Sequence, residues 1–146
     1  MMTTGTARTL TLARTIKAEP DAVFAAWTQP EHMKNWSAPE GMDVAIANVD
    51  LTAGGHFHIQ MKNAEGGEHN ARGVYREIER PSRLVYTWAW DEHPEAGESL
   101  ITVEFRAVEG GTEVTMVHSG LPTEELVKDH EGGWTSCLNR LEKLYA

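Results

Sequence analysis

Residues 130–145 form the one long segment of this chain with clear helical periodicity. Apolar side chains recur there on one stripe, at Trp134, Cys137, Leu138, Leu141, Leu144 and Tyr145. Spacings of three and four residues are those of one helix face. A single amphipathic helix has to bury that face against another element, and nearly all of the preceding chain has the pattern of strands. The tail therefore predicts a sheet that packs around a C-terminal helix.

Alternating polar and apolar residues predict seven strands upstream of this helix. The pattern is clearest where Phe57, Ile59 and Met61 alternate with His56 and His58. The predicted strands cover residues 9–17, 43–49, 56–62, 70–79, 83–90, 99–108 and 112–119. Two short helices, each opened by a proline at residue 20 or 30, are predicted between the first two strands. Loops of hairpin length join the last six strands and predict an antiparallel arrangement.

Length and charge limit the classes of protein that fit. A chain of 146 residues with 40% hydrophobic content suits one domain, residues 1–146. It carries 22 acidic against 13 basic residues, a net charge of -9, so we expect no nucleic-acid partner. No apolar run is long enough for a membrane span. The Thr-rich start faintly resembles a transit peptide, but its alternation favours a strand, so we expect a cytoplasmic protein without a targeting segment.

Metal and catalytic motifs are weak in this sequence. His56 and His58 share one strand face and, with His69 across a hairpin, are candidates for a metal site, although solvent-facing side chains are favoured. His130 begins a zinc-protease pattern that fails because Trp134 stands where the second histidine belongs. There is no Gly-x-Ser-x-Gly elbow and no phosphate-binding loop. We therefore expect no metal, no cofactor and no catalytic residue.

Seven short segments together resemble a known superfamily. They are AEPDAVF (18–24), PEHMKNW (30–36), DLTAGGHF (50–57), GVYREI (73–78), RLVYTW (83–88), GGTEV (110–114) and HEGGW (130–134). Their order resembles the SRPBCC superfamily of START and Bet v-like domains. The closer match is to its branch named after the activator of the ninety-kilodalton heat-shock protein ATPase (AHSA-like). The resemblance covers roughly residues 9 to 145 of the chain.

The resemblance implies an α+β helix-grip fold. In this fold a seven-stranded curved antiparallel sheet wraps around a long C-terminal helix, with two short helices between strands 1 and 2 and an apolar cavity between helix and sheet. Members include lipid carriers, hormone receptors, polyketide cyclases and chaperone regulators. The chaperone activator looks like a two-domain protein, and this chain resembles only its C-terminal domain.

We expect non-enzymatic binding of a small hydrophobic ligand, related to stress response, by a monomer or homodimer. Tyr75 and His118 would bond a polar ligand group, although a structural role is favoured for His118. The other expected contacts are apolar, from Trp36, Phe57, Trp88, Phe105, Met116, Trp134 and Leu138. Simple core filling by these aromatics is nearly as good an explanation. Two other functions stay open, a co-chaperone module with weak chaperone contact and a cyclase- or hydrolase-like enzyme using His118.

Gly132 and Gly133 interrupt the predicted helix, where each glycine costs about 1 kcal/mol relative to alanine. Three explanations are open. The pair lets the helix approach the sheet, leaves a cavity mouth beneath Trp134, or marks a bend after a separate short helix over residues 123–129.

Overall fold

A computed structural model describes residues 8–146. Residues 1–7, which belong to the Thr-rich start with its faint resemblance to a transit peptide, lie outside the described residues. The chain runs in the order β1 (Arg8–Ile16), α1 (Pro20–Thr28), α2 (Pro30–Met33), β2 (Asp43–Val49), β3 (His56–Lys62), β4 (Glu68–Glu79), β5 (Arg83–Trp90), β6 (Ser99–Val108), β7 (Gly111–Leu121) and α3 (Glu124–Leu144). One 3-10 turn, Pro94–Ala96, lies in the β5–β6 loop.

The seven strands form one antiparallel sheet in the order β1-β7-β6-β5-β4-β3-β2. Because β1 pairs with β7, the first strand forms one edge of the sheet and lies beside the last strand. The predicted α+β helix-grip architecture, with two short helices between β1 and β2, is confirmed. Only strand ends differ: β4 begins at Glu68, because the hairpin ladder extends to the pair Lys62 and Glu68.

The inner face of the sheet carries the core. In β3, Phe57, Ile59 and Met61 are buried, whereas His56 is exposed and His58 is half-buried. In β7, Met116 and His118 have no solvent exposure. The period-two pattern of the sequence therefore assigned the two faces correctly, since successive strand residues point to opposite sides.

Helix α3 is continuous across its two glycines. The hydroxyl oxygen of Thr123 accepts the Leu126 backbone N–H at 3.1 Å, which caps the first turn. The helix then runs unbroken to Leu144, so the alternative of a separate short helix over residues 123–129 is wrong. Its buried stripe consists of Trp134, Cys137, Leu138 and Leu141.

The segment 37–42, between α2 and β2, is fastened to α3 by one arginine. Nη1 of Arg140 lies 2.6, 3.3 and 3.1 Å from the carbonyl oxygens of Ala38, Pro39 and Met42. The Glu40 backbone N–H also donates to the Ser136 hydroxyl at 2.7 Å. These bonds hold segment 37–42 at a fixed distance from α3.

Within residues 8–146, no helix is long and apolar enough to cross a membrane.

Candidate ligand-binding cavity

A cavity of about 370 Å³ lies between α3 and the sheet. Its volume is near the lower end of the range, roughly 300–1,000 Å³, that small-molecule sites occupy. Its walls are mainly apolar and come from segment 37–42, strands β3 to β5, the β5–β6 loop and α3. They consist of Ser37, Pro39, Met42, Met61, His69, Trp88, Trp90, His93, Ala96, Leu126, Asp129, His130, Gly133, Trp134 and Cys137.

The cavity has a buried floor and a solvent-facing side. Met61, Trp88, Trp134 and Cys137 are buried and form the floor with Ser37. The opposite wall, where the β5–β6 loop faces the first half of α3, contains exposed residues such as His93 and Asp129, with half-buried neighbours. A ligand would therefore enter between this loop and α3.

Two residues of the floor, Trp134 and Trp88, are joined through His118 and Ser99 by a directional chain of hydrogen bonds. The Trp134 indole N–H donates to Nδ1 of His118 at 3.2 Å. The proton of His118 is thus on Nε2, which donates to the Ser99 hydroxyl at 2.7 Å, and that hydroxyl donates to the Trp88 carbonyl at 3.1 Å. Burial, and secondarily the neighbouring His130, lowers the pKa of His118 to about 3. His118 is therefore neutral and has no free ring nitrogen.

A second histidine on the cavity wall has the opposite tautomer. The Trp90 indole N–H donates to Nε2 of His130 at 3.0 Å, so His130 carries its proton on Nδ1 and donates to the Leu126 carbonyl at 2.7 Å. The His130 and His118 rings lie 4.9 Å apart, edge to face. Two indoles thus hold two adjacent neutral imidazoles between the sheet and α3.

The nine predicted ligand contacts fall into three groups. Trp88 and Trp134 line the cavity. A small adjacent void of about 20 Å³ is lined by these two together with Trp36, Phe57 and Tyr75. The remaining four are buried in the core without lining either space, namely Phe105, Met116, His118 and Leu138.

Several cavity residues are missing from the ligand contacts predicted from the sequence. Strand alternation in the sequence places Met61 and Trp90 on the inner face of the sheet. That pattern is enough to predict that they can line the cavity. Met42, which follows a proline- and glycine-containing turn, lacks any such signal because segment 37–42 has no regular periodicity. Its position is set by the bonds of Arg140 to this segment.

The polar atoms of the five tryptophans differ in one respect. The indole N–H groups of Trp27, Trp36, Trp90 and Trp134 have acceptors, which are the Tyr86 hydroxyl, the Ala26 carbonyl, His130 and His118. The indole nitrogen of Trp88 is buried and has no hydrogen-bond partner among residues 8–146. A buried N–H without an acceptor is costly, so this packing of Trp88 carries an energetic penalty.

The histidines of β3 and β4 do not form a metal site. His69 pairs in register with Met61 and lines the cavity, whereas His58 is on the other face and contacts Asn70 at 2.8 Å. The sheet therefore separates His69 from His56 and His58. Across the described part of the chain, no group of three His, Cys, Asp or Glu side chains is arranged to hold a metal ion. Burial raises the pKa of Cys137 to about 12, so its thiol stays protonated.

Comparison with known families agrees with this architecture. The family model described as "Activator of Hsp90 ATPase homolog 1-like protein" (AHSA1) matches residues 17–146. The chain belongs to this family. The AHSA1 match covers β2 to β7 and all three α-helices, and therefore every residue of the cavity wall.

Two curated AHSA1 relatives are activators of the 90 kDa heat shock protein ATPase by name. The homolog from Dictyostelium discoideum is 28% identical over 75% of this chain and 30% of its own length. Homolog 1 from Homo sapiens is 24% identical over 84% of this chain and 32% of its own length. This chain thus spans about a third of the length of the relatives it matches.

Solved structures of similar size share the whole fold. A crystal structure of a protein from Chromobacterium violaceum superposes with a TM-score of 0.87 at 26% identity, over 94% of this chain and 96% of that one. An AHSA1 protein from Silicibacter pomeroyi superposes with a TM-score of 0.84 at 28% identity, over 93% of this chain and 96% of that one. Chains of this length and fold therefore occur elsewhere among solved structures.

Proposed function

We propose that this protein binds a small hydrophobic ligand, without catalysis, in the cavity between α3 and the sheet. The single observation that carries the proposal is the cavity of about 370 Å³, with its mainly apolar wall and buried floor. When an apolar ligand displaces water from apolar surface of this kind, the free energy of the system falls, which favours binding.

The hydrogen bonds of His118 support binding over catalysis. A general acid or base needs a free nitrogen within reach of substrate and a pKa near the working pH. Both nitrogens of His118 are used by Trp134 and Ser99, and its pKa is about 3. The enzyme alternative that relies on His118 therefore has no geometric support.

Titration of the labelled protein with a panel of fatty acids and bicyclic aromatic compounds tests the proposal. Indole N–H resonances in two-dimensional NMR spectra report directly on the cavity, because Trp88, Trp90 and Trp134 are in its wall. We expect saturable shifts of these three resonances, with smaller changes at Trp27, which lines only the small void. A panel in which no compound shifts any of the three resonances would contradict the proposal.

Contact with a heat-shock chaperone is a second candidate, favoured by the names of the two curated relatives. Because the chain spans only about a third of their length, stimulation of the ATPase does not carry over with the name. Adding the purified protein to the 90 kDa chaperone and measuring ATP hydrolysis separates the candidates. A dose-dependent change in rate supports the co-chaperone function.

Cytoplasmic location, a stress-related role and the monomeric or dimeric state stay predictions from the sequence.

A further inference from the structure

We propose that the cavity binds a flat aromatic molecule with a positively charged group, and that Asp129 holds this group at the entrance. This inference rests on the proposed function, because it specifies the class of molecule that the cavity takes. Three features of the cavity wall carry it. They are the indole rings, the lack of an unpaired positive charge, and one carboxylate that has no partner.

The apolar part of the wall is mostly aromatic. Trp88, Trp90 and Trp134 supply three indole rings, and Met42 and Met61 supply two thioethers, which pack favourably against aromatic rings. The ring centroid of Trp88 lies 5.5 Å from that of Trp90 and 5.1 Å from that of Trp134, with inclined planes. A flat aromatic ligand can therefore make both edge and face contacts, and the indole faces also attract a nearby cation.

The inner wall offers no positive charge to an anionic ligand. Among residues 8–146, none of the side chains that line the cavity is a lysine or an arginine. The ring of His130 is neutral, and its two nitrogens are occupied by Trp90 and by the Leu126 carbonyl. A carboxylate buried here would lose its hydration without gaining a counter-ion, which is costly. The cavity therefore disfavours an acid anion that enters with its headgroup.

The two other histidines of the wall each lie near a carboxylate. Nδ1 of His93 is 3.1 Å from the carboxylate of Glu95. Glu92 accepts hydrogen bonds at 2.8 Å from the backbone N–H and the side-chain amide of Asn70, the residue next to His69. A proton gained by either ring would thus be balanced by an acidic side chain that is already present, so neither histidine provides a free cation for a ligand.

Asp129 is the one acidic side chain in the cavity wall, within the part of the chain that the structure describes. It is exposed on the solvent-facing side, and its carboxylate forms no ion pair or hydrogen bond with another side chain of residues 8–146. Glu125 lies one helical turn earlier, and like charges at this spacing repel each other. A cationic group at the entrance would be attracted to Asp129 and would reduce this repulsion.

The two segments that face each other across the entrance favour the approach of a cation. Segment 91–98 contains four acidic residues and no lysine or arginine, and segment 124–131 contains four acidic residues and one lysine. Two of these acids, Asp91 and Glu98, pair with Arg72 and Arg76. The charge that remains attracts a positively charged molecule towards the cavity and repels a negatively charged one.

Three probes of one shape and different charge test this inference, namely 2-naphthamidine, 2-naphthamide and 2-naphthoate. They share the naphthalene ring and carry planar groups of equal size, which at pH 7.5 are positive, neutral and negative. Calorimetric titration measures their dissociation constants with the unmodified chain, Asp129→Asn and Glu131→Gln. Glu131→Gln is the matched control, because it removes one negative charge from the same helix at an exposed position outside the cavity wall.

We expect the unmodified chain to bind the amidine more tightly than the amide, and the naphthoate at least about tenfold more weakly than the amide. Asp129→Asn should reduce the preference for amidine over amide about two- to fivefold, which is the range of an exposed ion pair. In Glu131→Gln this preference should change by less than about 1.5-fold, because screening by salt weakens a charge outside the wall. Both variants change the net charge equally, so a difference between them reports on the position of Asp129.

The remaining outcomes each overturn the inference. Naphthoate that binds as tightly as the amide would show that the wall does not select against anions. Amidine that binds no more tightly than the amide, or an equal loss of its preference in Asp129→Asn and Glu131→Gln, would show that Asp129 holds no cation. If none of the three probes binds, the inference fails and the fatty acids of the wider panel decide the proposed function. A fatty acid that shifts the indole resonances of Trp88, Trp90 and Trp134 would keep the cavity as a binding site.

Discussion

The indole N–H of Trp134 donates to Nδ1 of His118 across 3.2 Å and thereby ties the middle of α3 to the last strand of the sheet. His118 has no solvent exposure, so this bond and the one to Ser99 replace all of its contacts with water. The bond also fixes the tautomer, because a nitrogen that accepts from an indole cannot carry the proton. A buried, neutral and fully bonded histidine has consequences for stability that can be measured.

Stability should depend on pH through His118. Its pKa is about 3 in the folded state and near 6.5 in the unfolded chain, so the unfolded state binds more protons between these values. The contribution of neutral His118 is therefore complete above about pH 6.5 and is lost as pH falls towards 3. Between pH 7 and 5.5 the free energy of unfolding, measured by urea denaturation, should fall by about 1 kcal/mol more in the unmodified chain than in His118→Gln. Equal pH dependence in both proteins would contradict a depressed pKa.

Ser99→Ala should destabilise the fold by about 1–3 kcal/mol, because it leaves the His118 Nε2–H and the Trp88 carbonyl without this partner in a buried site. Ser82→Ala is the matched control, since its exposed hydroxyl donates only to the Glu79 carbonyl. We expect a change within about 0.5 kcal/mol there. Urea denaturation measures the free energy of unfolding of both variants. Equal losses in Ser99→Ala and Ser82→Ala would show that the buried bonds of Ser99 stabilise the fold no more than an exposed one.

Arg140→Met should loosen segment 37–42, because it removes the donor shared by the carbonyls of Ala38, Pro39 and Met42. We expect a loss of about 1–3 kcal/mol, since hydrogen bonds from a charged donor are the stronger kind. Ligand affinity should fall too, because Pro39 and Met42 line the cavity.

The control for this change is Lys143→Met. Its ion pair with Glu40 is exposed, at 3.3 Å, and pairs of that kind are worth little. Hydrogen exchange of the backbone amides in segment 37–42 distinguishes the two variants. Exchange that is as slow in Arg140→Met as in the unmodified chain would rule out a fastening role for Arg140.

Gly133→Leu should block the cavity without unfolding the protein. A Cβ at residue 133 would meet only Cγ of Pro39, at 3.9 Å, and residue 133 is in the cavity wall. Leucine also favours the helix over glycine by nearly 1 kcal/mol. We expect affinity for any cavity ligand to fall at least about tenfold, since the added side chain takes the volume of the ligand.

Gly132→Leu makes the same chemical change one residue earlier. A Cβ there meets nothing within 4 Å, and Gly132 is exposed and outside the cavity wall. Calorimetric titration should therefore show retained binding in this variant and impaired binding in Gly133→Leu. Unchanged ligand affinity in Gly133→Leu would refute the view that Gly133 keeps the cavity open.

The two glycines show where prediction from the sequence succeeded and failed. Their position in a helix suggested close approach to the sheet, an open mouth, or a bend. The helix is unbroken, and the space around residue 133 is open, so the open mouth fits the structure best. The cost of glycine in a helix can be judged from the local sequence. Whether the helix stays unbroken depends on the packing of Trp134 and Leu138 against the sheet, which the local sequence does not show.

The sequence by itself determined the elements, their order and the inward faces. Periods of two and of three to four residues are local properties, and they placed Phe57, Ile59 and Leu138 inside correctly. Only the tertiary structure decided which buried residues border empty space. Phe105 and Met116 carry the same pattern as Trp88, yet they line no open space, whereas Trp88 lines the cavity and its buried indole N–H has no partner among residues 8–146. An unfilled volume and an unmet hydrogen bond both depend on side chains that are distant in the sequence and become neighbours only in the folded chain. Local periodicity therefore cannot predict them.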